Sequence, residues 1–267
     1  MNAVAAVRVE RAGVVATVTL ARPEVRNAFD AATISALHAA FVDLGMDPQV
    51  RVVVLAAEGA AFCAGADLRY MREMAQYSEV QNRDDALQLA RMLRSVAECP
   101  KPVIARVQGD AFAGGVGLVA ACDLAVAAST ARFCLSEVRL GLIPATIMPH
   151  VLRAVGARAA QRLTLTAEVF DAAAAQRIGL VHEVAADAAA LDAQVHAWTQ
   201  ALLAASPQAL AAAKRLLAEV AHHPLGEALL ADTAERIAQA RASSDGREGI
   251  AAFLEKRKPR WAAPGPN

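Results

Sequence analysis

The sequence predicts an α/β domain with a mainly helical C-terminal third, on three observations. Short apolar runs of strand length alternate with helical patterns through the first half of the chain. Two of these runs, "VRVVVLAAEG" and "KPVIARVQG", are continuous rather than alternating, as expected of strands covered on both faces. Past Pro144 the pattern turns helical almost to the end.

The elements follow in order. Val4 to Val9 and Val14 to Leu20 read as two strands joined at Ala12-Gly13. Pro23 ends the second, and Asp30 is placed to cap a helix from Ala31 to about Leu44. "VRVVVLAAEG" is the next strand, and "AFCAGADL" a glycine-broken loop. Arg69 to about Ala97 is helical but interrupted where polar residues cluster from Gln76 to Asp85. A buried strand spans about Pro102 to Val107, and "GDAFAGGVGL" runs into a short helix from Gly114 to Ala121. "DLAVAA" and "RFCL" are two further short strands. The chain divides into a core of residues 1–200 and a helical region of residues 201–267, with no strict repeat and no low-complexity linker.

Composition narrows the function. Lys plus Arg equals Asp plus Glu at 27 each among 267 residues, so no global field recruits nucleic acid or an anionic membrane. Hydrophobic residues make up 56%, but aromatics only 4%, so the core must be packed from small and aliphatic side chains. Charges or glycines break every apolar run below membrane-spanning length, and the N-terminus lacks a signal-peptide core. Cys63, Cys99, Cys122 and Cys134 form no C-x-x-C pair and sit in apolar segments. They read as four buried small hydrophobes in a reducing compartment, with no metal site. A soluble cytoplasmic protein is expected.

The glycine stretch admits three readings. Gly115 to Ala120 fits the dinucleotide fingerprint G-x-G-x-x-A, with Glu137 twenty residues after Gly117. The preceding strand ends near Gly109, however, and five residues intervene where that fingerprint has none. The glycines also suit close helix–strand packing. Thirdly, a helix start offers free N–H groups that bind an anion, or a carbonyl oxygen that becomes one during reaction. Other motifs fall away. His182-Glu183 lacks the second histidine of H-E-x-x-H, no G-x-S-x-G is present, and His222-His223 before Pro224 reads as a solvated helix end.

The loops "AFCAGADL" and "GDAFAGGVGL", with "RPEVRNAF" before them, "LSEVRLGLIP" after them and the terminal "DGREGIAAFLEKRKPRW", resemble the enoyl-CoA hydratase/isomerase (crotonase) family along nearly the whole chain. The resemblance implies a spiral of repeated β-β-α units with a helical C-terminal region, a homotrimer or dimer of trimers, and a coenzyme A thioester as substrate rather than a separate cofactor. It assigns the backbone N–H groups of Ala66 and Gly114 to an oxyanion hole and Glu137 to acid/base catalysis. It sets Arg26, Ala28, Ala64, Asp67 and Leu68 along the coenzyme path. Lys256 falls near a coenzyme phosphate, in its own or a neighbouring subunit.

One departure stands out. The best-known hydratases of the family carry two glutamates around a water molecule. Glu137 matches the second, while the first falls at Gly117, which lines the acyl site without a side chain. Ser136 is close enough in sequence to orient Glu137 or its water. The implied activity is hydration of a 2-enoyl-CoA; "ADLRYM" and "SEVRLGLIPATIMPHVLRAVG" look most like the bacterial methylglutaconyl-CoA hydratase-like branch. Two alternatives stand beside it: a Δ3,Δ2-enoyl-CoA isomerase using Glu137 alone, and a homologue that binds acyl-CoA or RNA without turnover.

Overall fold

A computed structural model of the chain describes residues 5–221 and 223–262; Val4 and His222 lie outside the described residues. Strands β1 (Val7–Ala12) and β2 (Val15–Leu20) form an antiparallel hairpin around Gly13, whose φ of +60° suits the turn. A single 3-10 turn, Pro23–Val25, leads to α1 (Ala31–Met46), where the Asp30 carboxylate accepts the Thr33 N–H at 2.7 Å. There follow β3 (Val52–Ala57), β4 (Ala61–Cys63), α2 (Leu68–Met74) and α3 (Glu79–Ala97). Next come β5 (Val103–Val107), β6 (Asp110–Phe112) and α4 (Gly114–Ala121), then β7 (Leu124–Ala128), β8 (Arg132–Cys134) and α5 (Met148–Thr166). The chain closes with β9 (Phe170–Asp171), α6 (Ala172–Arg177), β10 (Glu183–Ala185), α7 (Ala188–Ala204), α8 (Pro207–Val220), α9 (Glu227–Ala242) and α10 (Ser244–Leu254).

The strands sort into two sheets, ordered β1-β2-β3-β5-β7-β10 and β4-β6-β8-β9. Three successive turns of chain, starting at β3, β5 and β7, each add one longer strand to the first sheet and one short strand to the second before a helix returns. That is the spiral of β-β-α units. From β2 onward the first sheet is parallel. All six residues of β3 are buried, which explains its continuous apolar run. Phe41, Phe62, Phe133, Leu55, Met92 and Ile104 are among the largest fully buried side chains of a core that also holds many Leu, Val and Ala.

Four sequence expectations need correction. The first strand starts at Val7 and runs to Ala12. The run "AFCAGADL" begins as strand β4, and "GDAF" contains β6, though both read as loop. Two strands, β9 and β10, interrupt the stretch read as helical past Pro144. Strands of two or three residues carry no periodicity of their own; they form because a neighbouring strand presents unpaired N–H and C=O groups. Lastly, Cys63, Cys99 and Cys134 are buried but Cys122 is only partly so; all four are free, and burial pushes the Cys63 thiol up to about 12.

The C-terminal helices are fastened to the core by charge. The Lys214 ammonium of α8 lies 2.6 Å from Asp123, which also accepts the Val103 N–H at 2.7 Å. The Arg51 guanidinium donates to the carbonyls of Leu203, Ala205 and Trp261 at 2.7–3.0 Å.

Candidate active site

The short parallel strands β4, β6 and β8 lie side by side, with Cys63 beside Ala111 and Phe112 beside Cys134. Their C-terminal ends therefore share one edge, and three loops leave it: Ala64 to Asp67, Ala113 to Gly114, and Leu135 to Glu137. Ligands in open parallel sheets bind at this end of the strands. The Ala113 N–H donates to the Cys134 carbonyl at 2.8 Å, tying the second loop to the third.

The first loop makes a single bridge to the segment after Pro23–Val25. The Phe29 N–H donates to the Gly65 carbonyl at 2.6 Å, and the Asp67 N–H donates to the Phe29 carbonyl at 2.8 Å. In a parallel bridge the residue between those two points its own N–H the other way. That residue is Ala66, which is exposed and whose N–H has no acceptor among the described residues. Gly65 makes the loop possible: its φ is +91°, and a Cβ there would lie 3.1 Å from the Ala113 Cβ and 3.9 Å from the Gly114 nitrogen. The two loops are thus in direct contact.

Gly114 opens α4, so its N–H has no intrahelical partner and sits at the positive end of the helix dipole. Ala113 before it has φ 48° and ψ −116°, a conformation a non-glycine residue rarely adopts. Gly115 lets α4 press against β4, because a Cβ would stand 2.4 Å from the Cys63 carbonyl oxygen.

Glu137 begins a 3-10 turn, Glu137–Leu140, that follows β8. Its Oε2 is buried and has no hydrogen-bond partner among the described residues. Burial raises its pKa above the ordinary carboxylate value, with its own N–H partly offsetting the shift. No ion pair with Arg139 forms among the described residues, and Ser136 makes no hydrogen bond to the Glu137 carboxylate. An unpaired, half-buried carboxyl is suited to exchange a proton with a substrate that displaces water from it.

Gly117 faces a wall rather than an opening. A Cβ on it would stand 2.3 Å from Ile147 Cγ2 and 2.5 Å from Ile147 Cβ. Ile147 is itself buried at the start of α5. The space of a side chain at position 117 is therefore filled by a residue thirty positions later.

The remaining sequence-predicted residues are only partly gathered here. The Arg26 carbonyl accepts the Ala64 N–H at 3.0 Å, which sets Arg26 and Ala64 beside the first loop, with the Arg26 side chain exposed. Ala28 is buried, and Leu68 is 72% exposed at the start of α2. The Asp67 carboxylate is occupied: Oδ2 receives Arg22 at 2.8 Å and Oδ1 the Arg69 N–H at 2.8 Å. Burial alone would raise the Asp67 pKa, but the Arg69 N–H and the Arg22 guanidinium outweigh it and hold it below the usual carboxylate value. Lys256 is exposed just past α10, and no hydrogen bond or ion pair joins it to the three loops. Sequence reasoning missed Arg22, Asn27 and Ile147. Arg22 and Asn27 lie within "RPEVRNAF" and Ile147 within "SEVRLGLIPATIMPHVLRAVG", but the pattern of those segments gives no hint of what these side chains touch.

Residues 10–264 match the family described as Enoyl-CoA hydratase/isomerase. A relative in Thermus thermophilus that carries an enoyl-CoA hydratase name is 39% identical over 256 residues, which are 96% of this chain and 100% of that one. The enoyl-CoA isomerase/hydratase fer4 of Mycosarcoma maydis is 35% identical over 217 residues, covering 80% of this chain and 77% of that one. Among solved structures, an enoyl-CoA hydratase from Shewanella pealeana superposes with a TM-score of 0.93 at 42% identity, covering 96% of both chains.

Proposed function

The chain belongs to the enoyl-CoA hydratase/isomerase family, and from that premise we propose that it adds water across the double bond of a 2-enoyl-CoA. The observation that carries this reading is the single strand edge at which two N–H groups without acceptors and a half-buried carboxyl with an unpartnered Oε2 emerge from neighbouring loops. The N–H groups of Ala66 and Gly114 hold the thioester oxygen. As water bonds to the β-carbon, Glu137 accepts its proton and the electron pair moves onto that oxygen. Glu137 then returns the proton to the α-carbon as the thioester carbonyl re-forms. Each N–H donor to such an oxyanion is worth on the order of 10²–10³ in rate. No side chain at position 117 takes part.

A branched, carboxylated acyl group of the methylglutaconyl type is the first substrate to test, supported by the "SEVRLGLIPATIMPHVLRAVG" segment. Arg26, Ala28, Ala64 and Leu68 take the coenzyme portion, and Lys256 its phosphate from a neighbouring subunit. The helical region of residues 201–267 serves assembly into trimers, supported by the exposure of Leu217, Phe253 and Leu254. Four free cysteines fit a cytoplasmic setting, and no helix among the described residues is long and apolar enough to cross a membrane.

A second reading is favoured by Ile147 at Gly117: with one carboxyl only, Glu137 moves a proton from the α- to the γ-carbon of a 3-enoyl-CoA. The relative named isomerase/hydratase supports it. Loss of the conjugated thioester absorbance with crotonyl-CoA or methylglutaconyl-CoA tests the first reading, and gain of that absorbance from a 3-enoyl-CoA the second. Calorimetry without coenzyme A thioester binding would reject both in favour of a non-enzymatic role.

A further inference from the structure

Ala66 is the exposed residue between buried Gly65 and Asp67, tied down by the Phe29 bridge and by the Ala64 N–H to the Arg26 carbonyl, yet an oxyanion donor must be fixed to a few tenths of an ångström. Behind the bridge stands Arg22, just before Pro23. One guanidinium nitrogen reaches Asp67 at 2.8 Å; the other reaches Asp30 at 2.8 Å and the Ala28 carbonyl at 3.0 Å. Asp67 immediately follows Ala66, and its side chain is only 6% exposed. Asn27 locks the same segment: its amide donates to the carbonyls of Glu58 and Ala61 at 2.8 and 2.9 Å and accepts the Arg22 N–H at 2.9 Å. Both strands of the Phe29–Ala66 bridge are therefore gripped by one planar fork.

We infer that Arg22 and Asp67 form a clamp that aims the Ala66 N–H, which makes Arg22 a positioning residue for thioester polarisation and gives the Asp67 carboxylate this task rather than contact with coenzyme A. The inference rests on Ala66 being an oxyanion donor, as proposed above. Lysine cannot take over: an ammonium is a point charge, whereas the fork spans two carboxylates and a carbonyl. Arg22→Lys and the isosteric Asp67→Asn therefore loosen the Ala66 donor while leaving the Gly114 donor and Glu137 in place.

Acetoacetyl-CoA serves as the probe, because its enolate absorbs in the near ultraviolet and donors at the thioester oxygen favour that enolate. Wild-type protein lowers the apparent pKa of the bound probe below its free value. Both variants bring it back by about one unit, matched by about a tenfold fall in kcat with KM little changed. A merely structural role would lower the melting temperature without moving the probe. Wild-type protein that binds the probe without shifting it overturns the oxyanion reading itself. A shift retained in full by either folded variant overturns the clamp and leaves that reading standing. Should Arg22→Lys fail to fold, Asp67→Asn carries the test alone.

Discussion

The two loops that offer free N–H groups are held by different physics. The loop of Ala66 is held by charge: a fork from Arg22, a capping carboxylate at Asp67, and one backbone bridge. The loop of Gly114 is held by shape, with no charged group engaged. Its glycines let α4 lie so close to β4 and to Ile147 that added methyl groups at positions 115 and 117 would stand 2.4 and 2.3 Å from their neighbours. A charge-held loop can be loosened by degrees, whereas a shape-held loop has no spare room and fails abruptly. On the proposed mechanism both donors must agree on one oxygen, with the stiffer loop setting the position and the softer one clamped to meet it.

The largest effect leaves both loops untouched. Glu137→Gln is expected to lower turnover by about 10²–10⁴ while acyl-CoA binding persists in calorimetry. Its stability effect has the opposite sign. Because the folded-state pKa of Glu137 is raised above its unfolded value, its contribution is present below the unfolded pKa and lost as pH rises through the folded one. Urea titrations at neutral pH should therefore find the glutamine variant at least as stable as wild type.

Next comes the shape-held loop. Gly115→Ala would press a methyl group onto the Cys63 carbonyl oxygen, at an expected cost of about 1–3 kcal/mol in urea melts. It should also shift the Gly114 N–H enough to lose one donor's worth of rate, about 10²–10³. Full activity in this variant would break the contrast between the loops. A finer cut uses the pair at positions 117 and 147. Gly117→Ala alone should destabilise by about 1–3 kcal/mol, and adding Ile147→Ala should recover part of that loss. Additive effects in this double-mutant cycle would mean the two side chains do not compete for one space.

The smallest expected effect belongs to the clamp in acid. Asp67 has a folded-state pKa below its unfolded value, so its stabilisation is present above the unfolded pKa and lost as pH falls through the folded one. The stability gap between wild type and Asp67→Asn should therefore begin to narrow near the ordinary aspartate value of about 4 and close as pH falls through the lower folded-state pKa. A gap independent of pH would mean that Arg22 and Asp67 are not joined by charge.

Much of this layout is legible before any coordinates. Apolar runs long enough to be covered on both faces announce β3 and β5, and capping residues announce the start of α1. The strands that carry the three loops were the hard part. With three residues each, β4, β6 and β8 acquire their identity from partners 22 to 49 residues away, such as Ala61 beside Asp110 and Phe133 beside Phe170 across the sheet. Family motifs point to Ala66, Gly114 and Glu137 because the resemblance assigns roles by position along the chain. Arg22 and Ile147 escaped because their roles are relations: one spans two carboxylates from separate segments, and the other fills a void left by a glycine thirty residues away.

That last relation also limits which substitutions the site can accept. A chain with glycine at position 117 and isoleucine at position 147 cannot acquire a carboxylate between them in one step, since the newcomer would collide with the occupant. Position 147 would have to shrink as well, which by itself would open a buried void beside Gly117. Packing, and not only the identity of one residue, thus keeps a second carboxyl out of this position: glycine at 117 and isoleucine at 147 are two halves of one choice.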